Sequence, residues 1–453
     1  MFTHNRIKFF TKGCLVFLFL INELLYPLDT NQKTLTTLTT KGLEIKLIKN
    51  SNMNFIHAEL NIFYRGKNTN PAIRHLTMLN LFDGDVNKSG SGLLSILRKM
   101  GNDFEIQQRP DYLLFKINFL DDKLAIFMQF LRSLYSYKAF SLKKFNYSLN
   151  KYWDLTLKEE NWKKKAAFQV AYRKFFAGHP LGNTLIVSSL IKNINLAQIR
   201  SYYLRTYTLE NSSLILKGNI KQAIAVGTFK RLFKSFKEQD RNIGDNEKLN
   251  INNRREVVIY HINSMSPPEL FWFETIPPLT NKGHIPMRVL NDMLFAQPIG
   301  RISRARVSNG IKHLKIDTEV LNHKQVSMIC NTVKLNVNDI EKFILAVDSE
   351  KRKLKKLNRR EYLDVKNYFC GRIKVDSRRF ENQVELERDF SIFNGGNDSP
   401  MVSFARVSQQ VTYESLSAAL PFLNGGTIVI VGNANLITRN LSVLKPRVIR
   451  YLQ

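Results

Sequence analysis

Residues 55–64, Phe-Ile-His-Ala-Glu-Leu-Asn-Ile-Phe-Tyr, alternate apolar and polar positions in part, which predicts a strand. Asn70 and Pro71 then supply a cap and a first-turn residue for a helix. Leu93–Met100 has a short amphipathic helical pattern closed by Gly101. Asp103–Gln108 and Tyr112–Phe119 form a strand pair around Arg109-Pro110. Lys123–Tyr135 places Leu124, Ile126, Phe127, Phe130, Leu131 and Leu134 at helical spacing. Two further long helices flank Asn161, and the loop Gly178-His179-Pro180-Leu181-Gly182 follows.

The pattern repeats loosely, with a period of roughly 214 residues. Residues 268–275, Pro-Glu-Leu-Phe-Trp-Phe-Glu-Thr, predict a second strand like that at 55–64. Each strand precedes a helix ending in Leu-Phe, at Leu81-Phe82 and at Leu294-Phe295. Each half closes on a strand running into Gly-Asn, at Gly218-Asn219 and at Gly432-Asn433. The common order and spacing point to a tandem duplication of one α+β unit, a mixed sheet covered by helices. The expected organisation is a leader at 1–28, a first unit at 29–238, a linker at 239–254 and a second unit at 255–453.

A chain of 453 residues exceeds one core, which agrees with two units. Its 68 Lys and Arg against 38 Asp and Glu give a net charge of +30, so anionic partners are favoured. The densest run, Lys351–Arg360, holds seven basic residues in ten and reads as the solvated face of one helix. No nucleic-acid motif or aromatic-basic interleaving accompanies it, so no nucleic-acid partner is expected. Arg6, Lys8 and Lys12 precede an apolar run from Cys14 to Ile21, the order of a secretory signal. The run is short for a membrane span and lacks a clear cleavage pattern, so an uncleaved anchor attaching the chain to a membrane stays open. Cys330 and Cys370 fall in the mature region, as a disulfide or as two thiols.

The chemistry-bearing segment is 71–84, Pro-Ala-Ile-Arg-His-Leu-Thr-Met-Leu-Asn-Leu-Phe-Asp-Gly. It resembles the zinc-site helix of the insulinase, pitrilysin and mitochondrial-processing-peptidase family, Gly-Leu-Ala-His-x-x-Glu-His-Met-x-Phe-x-Gly. Aligned so, His75 falls on the first zinc ligand, Met78 on the general-base Glu and Leu79 on the second ligand. Phe82 and Gly84 match. His-Pro-Leu-Gly at 179–182 and Tyr207-Thr208-Leu209-Glu210-Asn211 with Leu214–Asn219 extend the similarity over roughly residues 42–235. Two His four apart on one helix face can share a metal, and the intervening Glu deprotonates its water. Met78 and Leu79 do neither, so no residue of the motif is expected to be catalytic and His75 reads as an ordinary helical histidine.

The resemblance also implies a third ligand near Asp154, which here reads more simply as a solvated helical Asp. It implies a substrate-holding Arg and Tyr in the second unit. Their counterparts in Gly300–His313 are Arg306 and His313, which otherwise read as surface residues. No cofactor is expected, with zinc confined to an active partner. Gly-x-Ser-x-Gly is absent, and Ser89-Gly90-Ser91-Gly92 lacks the Lys of a phosphate loop. Two readings follow. The chain is a non-catalytic accessory subunit, exported to a bacterial periplasm or cell envelope, which closes a peptide-binding chamber with a homologous active subunit or by self-dimerisation. Alternatively, it is a stand-alone peptide-binding scaffold.

Overall fold

The computed structural model describes residues 35–64, 70–82, 92–100, 104–158, 162–182, 191, 193–237, 240, 249–263, 267–356, 358–376, 384–386, 388–390, 392 and 407–450. The leader at 1–28, Gly84, Ser89–Ser91, Gly101 and Asn161 lie outside them.

Strands β1 (Leu35–Thr40) and β2 (Leu43–Lys49) form a hairpin. Its two-residue turn has φ of 53° at Lys41 and 83° at Gly42, the positive pair that matches strand twist. β3 (Ile56–Phe63), β4 (Phe104–Gln108), β5 (Tyr112–Phe119) and β6 (Ser212–Gly218) complete a six-stranded sheet in the order β1-β2-β6-β3-β5-β4. Only β2 and β6 pair in parallel. The second sheet has β7 (Glu256–His261), β8 (Glu269–Ile276), β9 (Lys315–Asn322), β10 (Ser327–Lys334), β11 (Thr427–Gly432) and β12 (Arg447–Arg450), ordered β12-β7-β11-β8-β10-β9. Its last five strands repeat the topology β2-β6-β3-β5-β4, with the parallel pair at β7 and β11. The sixth strand differs. It is an N-terminal hairpin partner in sheet 1 and the parallel C-terminal strand β12 in sheet 2. The α+β class and the tandem repeat are therefore the architecture observed.

Each sheet carries its own helices on one face. On sheet 1 these are α1 (Pro71–Phe82), α2 (Leu93–Arg98), α3 (Leu124–Tyr135), α4 (Leu142–Lys158), α6 (Leu196–Thr206) and α7 (Gln222–Leu232). Helix α5 (Trp162–Phe175) does not join them. Its Ala167, Ala171 and Phe175 pack on the opposite face of sheet 2, against Val258, Phe271, Phe273 and Met328. In return, residues of the segment 384–392 lie on the opposite face of sheet 1, where Arg388 reaches Glu59 of β3 and Ile392 packs on Phe63, Tyr112 and Leu114. Each unit thus covers the other's sheet.

On the helix face of sheet 2 sit α8 (His284–Phe295), α9 (Arg301–Ala305), α10 (Ile340–Lys353), α11 (Arg359–Asp376) and α12 (Tyr413–Ala419); α13 (Ala434–Arg439) abuts β7. The expectation of one solvated helix at Lys351–Arg360 needs correction. α10 ends at Lys353, and α11 starts at Arg359 after Asn358 caps Arg360 N–H at 2.8 Å. Lys351 is drawn inward to Glu274 of β8, over the Trp272 ring at 4.8 Å. A long aliphatic stem and one strong acceptor made that burial available to a lysine. Cys330 and Cys370 are free thiols, Cys330 buried beneath α5 and Cys370 donating to Ser408 O at 3.6 Å.

Candidate functional site

The motif helix forms as its sequence dictates. The Asn70 side chain accepts from Ala72 N–H at 2.9 Å, and Pro71 occupies the first turn, where a missing N–H costs nothing. Leu76 and Leu79 are 0% and 1% exposed in the core, and Phe82 stacks on Phe115 at 5.9 Å. Arg74 lies over the Tyr64 ring at 4.4 Å. His75 and Met78 are half-buried. Met78 Sδ is 4.0 Å from Gln108 Nε2, so this helix face adjoins the edge strand β4.

The side chains at the three motif positions do not fit a zinc ion. Leu79 has no donor atom and is committed to the core. A thioether is a weak acceptor and no base. One imidazole on this helix is not a tight zinc set. Asp154 falls within α4, which packs on α1, and its side chain lies outside the described residues. Among the described residues, no three of His, Cys, Asp and Glu approach closely enough to hold a metal.

Helix α8 is the counterpart of α1 in the second unit, and its matching face is polar. Aligned on the shared Leu-Phe ending, His75, Met78 and Leu79 correspond to Arg288, Asn291 and Asp292. Asp292, 2% exposed, pairs with Arg372 of α11 at 2.7 Å. Burial pushes its carboxyl above the ordinary range, against the pull of Arg372. Burial and the charge of Arg372 bring Arg288 down to about 10. Asn291 and Asn331 exchange two hydrogen bonds, at 2.8 and 3.2 Å, and Thr318 donates to Asn331 at 2.7 Å. A guanidinium and paired amides thus fill the second unit's version of the site. The Leu-Phe register was the sequence signal that leads to them.

Arg306 follows α9 directly, and both it and His313 are exposed. Arg306 O accepts from Ile311 N–H at 2.9 Å across a turn whose Gly310 has φ 67°. The structure brings neither residue to α1. The ordered arginine here is Arg301, held by Glu361 at 2.6 and 2.9 Å. In the 179–182 loop, His179 Nδ1 accepts from Leu181 N–H at 3.2 Å. A Cβ on Gly182 would meet Phe176 O at 2.2 Å, so only glycine fits there.

Residues 193–347 match the family model of the peptidase M16 inactive domain. No curated protein matches. In fold the chain is similar to a peptidase M16 inactive domain from Pseudomonas fluorescens, with a TM-score of 0.71 and 16% identity over 91% of this chain and 100% of that one. A protease from Helicobacter pylori gives a TM-score of 0.71 and 12% identity, over 88% and 100%. The first half of the periplasmic protease PqqL from Escherichia coli gives 0.69 and 15%, over 91% and 94%, and against whole PqqL the match spans 49% of that chain. Residues 193–347 thus match the peptidase M16 inactive domain, the fold over 91% of the chain is that of such domains, and both are consistent with a degenerate member of the insulinase-type peptidase family.

Proposed function

We propose that this chain is a non-catalytic, peptide-binding member of the family that pairs with a homologous active subunit. The observation that carries this reading is the fate of the second ligand position, where Leu79 is a core residue with 1% exposure. No small side-chain movement turns that position into a ligand. The match to half of whole PqqL supports a role as one half of a larger assembly. Peptide would add to the edge strand β4, which borders Met78 through Gln108 and has no further strand on its outer side among the described residues. The periplasmic location printed for PqqL and the basic-then-apolar order of residues 6–21 support export to a bacterial envelope.

The test is co-purification with a chain of the same fold that carries an intact His-x-x-Glu-His. A stable complex that hydrolyses extended peptides, with this chain alone inactive and binding no zinc, is the expected result. Zinc and peptidase activity in this chain alone would overturn the non-catalytic reading. Peptide binding by this chain with no complex would leave the scaffold reading in its place.

A further inference from the structure

Helix α9 joins the end of α10 to the start of α11. Arg301, 11% exposed, donates twice to Glu361 and lies 3.9 Å from Glu350. Arg304 also reaches Glu361, and Lys353 pairs with Glu350 at 2.7 Å. These contacts fix three elements into one corner and use up both of its central carboxylates.

The other cations there are exposed and form no direct ion pair among the described residues, with Arg352 in the field of Asp348. Arg306, Arg352, Lys355, Lys356, Arg359 and Arg360 have no carboxylate within ion-pair distance among the described residues. Lys342, paired with Asp339 at 3.5 Å, closes the edge, since a Cβ on Gly310 would lie 3.8 Å from its Nζ. Two exposed carboxylates are near. Asp364 follows Arg360 by one turn, and Glu414 feels the charge of Arg359. Exposed aliphatic side chains lie on or beside the same three helices: Val307 just after α9 at 77%, Leu363 on α11 at 47% and Leu345 on α10 at 39%.

We propose that this corner docks on an anionic phospholipid surface. Clusters of about four to eight Lys and Arg bind such surfaces, and aliphatic side chains beside them enter the headgroup layer. A nucleic acid would be better served by exposed aromatic side chains for stacking, and Tyr362 is only 6% exposed. The exposed aliphatic groups Val307, Leu345 and Leu363 favour a lipid surface over a purely ionic acidic peptide.

The experiment is sedimentation of the full chain with phosphatidylcholine vesicles and with vesicles containing phosphatidylglycerol. The expected result is binding to the second kind only, weakening as salt is added. The combined variant Arg352→Gln, Lys355→Gln, Lys356→Gln, Arg359→Gln and Arg360→Gln should lose binding roughly tenfold or more. Val307→Asp should lose it severalfold, with both variants keeping the parent's melting temperature. All of these chains retain residues 1–34, so binding that survives in the combined variant would place attachment there and overturn the proposal. Absence of binding to phosphatidylglycerol vesicles at low salt would also overturn it. So would equal loss by the combined variant of binding to double-stranded DNA held as tightly as the vesicles.

Discussion

On sheet 2, helix α5 lays Ala167, Ala171 and Phe175 against Phe271, Phe273 and Met328, an apolar centre. Its ion pairs, Lys163 with Glu269, Lys164 with Glu319 and Lys174 with Glu256, stand at the rim. On sheet 1 the matching cover is built the other way round. Its centre is Arg388, 2% exposed, within 3.6 Å of Glu59, 2.9 Å of Glu385 and 3.2 Å of Asp389. Asn322 donates to Asp389 at 2.8 Å, and Arg109 binds Glu385 at 3.2 Å. Glu44 and Lys46, 3.7 Å apart, and Lys217 are buried on the same face. Phe63, Tyr112 and Leu114 give it an apolar edge, and Ile215 and Ile48 are buried among the charges.

The two covers differ in what they demand. Apolar burial is non-directional, so α5 gains from contact area and tolerates small shifts. A buried ion pair gains little over an apolar replacement, but removal of one member strands the other. The ionic cover therefore fixes one seating of Arg388 and Asp389 rather than adding much stability. Asp111, His323 and Tyr172 link the two covers. Asp111 accepts from His323 Nδ1 at 2.9 Å, and His323 Nε2 and the Tyr172 hydroxyl share a hydrogen bond of 2.7 Å.

The sharpest break is Arg388→Met, which leaves Asp389 buried without its cation and Glu59 with the more distant Lys116 at 3.9 Å. A loss of about 3–5 kcal/mol in urea unfolding is expected. Next is Phe175→Ala on the apolar side, where the cavity should cost about 3 kcal/mol by the same measurement. The pair Glu59→Met with Arg388→Met sharpens the contrast, since it should recover only the part of the single-variant loss that comes from Glu59, about 1–2 kcal/mol, with Asp389 still lacking its cation. A double-variant loss equal to the Arg388→Met loss would show that Glu59 is not the group left stranded.

The smallest effect is a pH dependence at Glu385. Desolvation opposes its charged form, but Arg388 and Arg109 outweigh it and hold its carboxyl below the usual 4.5. A depressed folded value stabilises the fold above the unfolded value and loses that contribution as pH falls through the folded one. Glu385→Gln should therefore cost roughly 0.5 kcal/mol at neutral pH, discounted because its side chain is 47% exposed. The gap between variant and parent, read from melting curves, should narrow as pH falls below the usual 4.5 and close once Glu385 is protonated in the folded chain.

Much of the fold was legible because its signals are local. Alternation at 55–64, helical spacing at 123–135 and the two Gly-Asn strand ends each lie within a few residues and match β3, α3, β6 and β11. The altered motif was equally legible, since His75, Met78 and Leu79 declare their chemistry by type. The burial of Lys351 was not, because its partner Glu274 is far away in sequence. Nor was the role of Arg372, whose partner Asp292 lies on another helix.

The sequence alone determined the tandem repeat, several strands and helices of each unit and the side-chain types on α1, because spacing and residue type suffice for those. His57, Glu59 and Asn61 alternate with apolar residues as on a strand with one wet face, and nothing local separates water from a buried partner. Only the tertiary structure decided that this face is covered by Arg388 while its equivalent is covered by Phe175. Burial is a property of what arrives from elsewhere in the chain, and those contacts join residues far apart in the sequence.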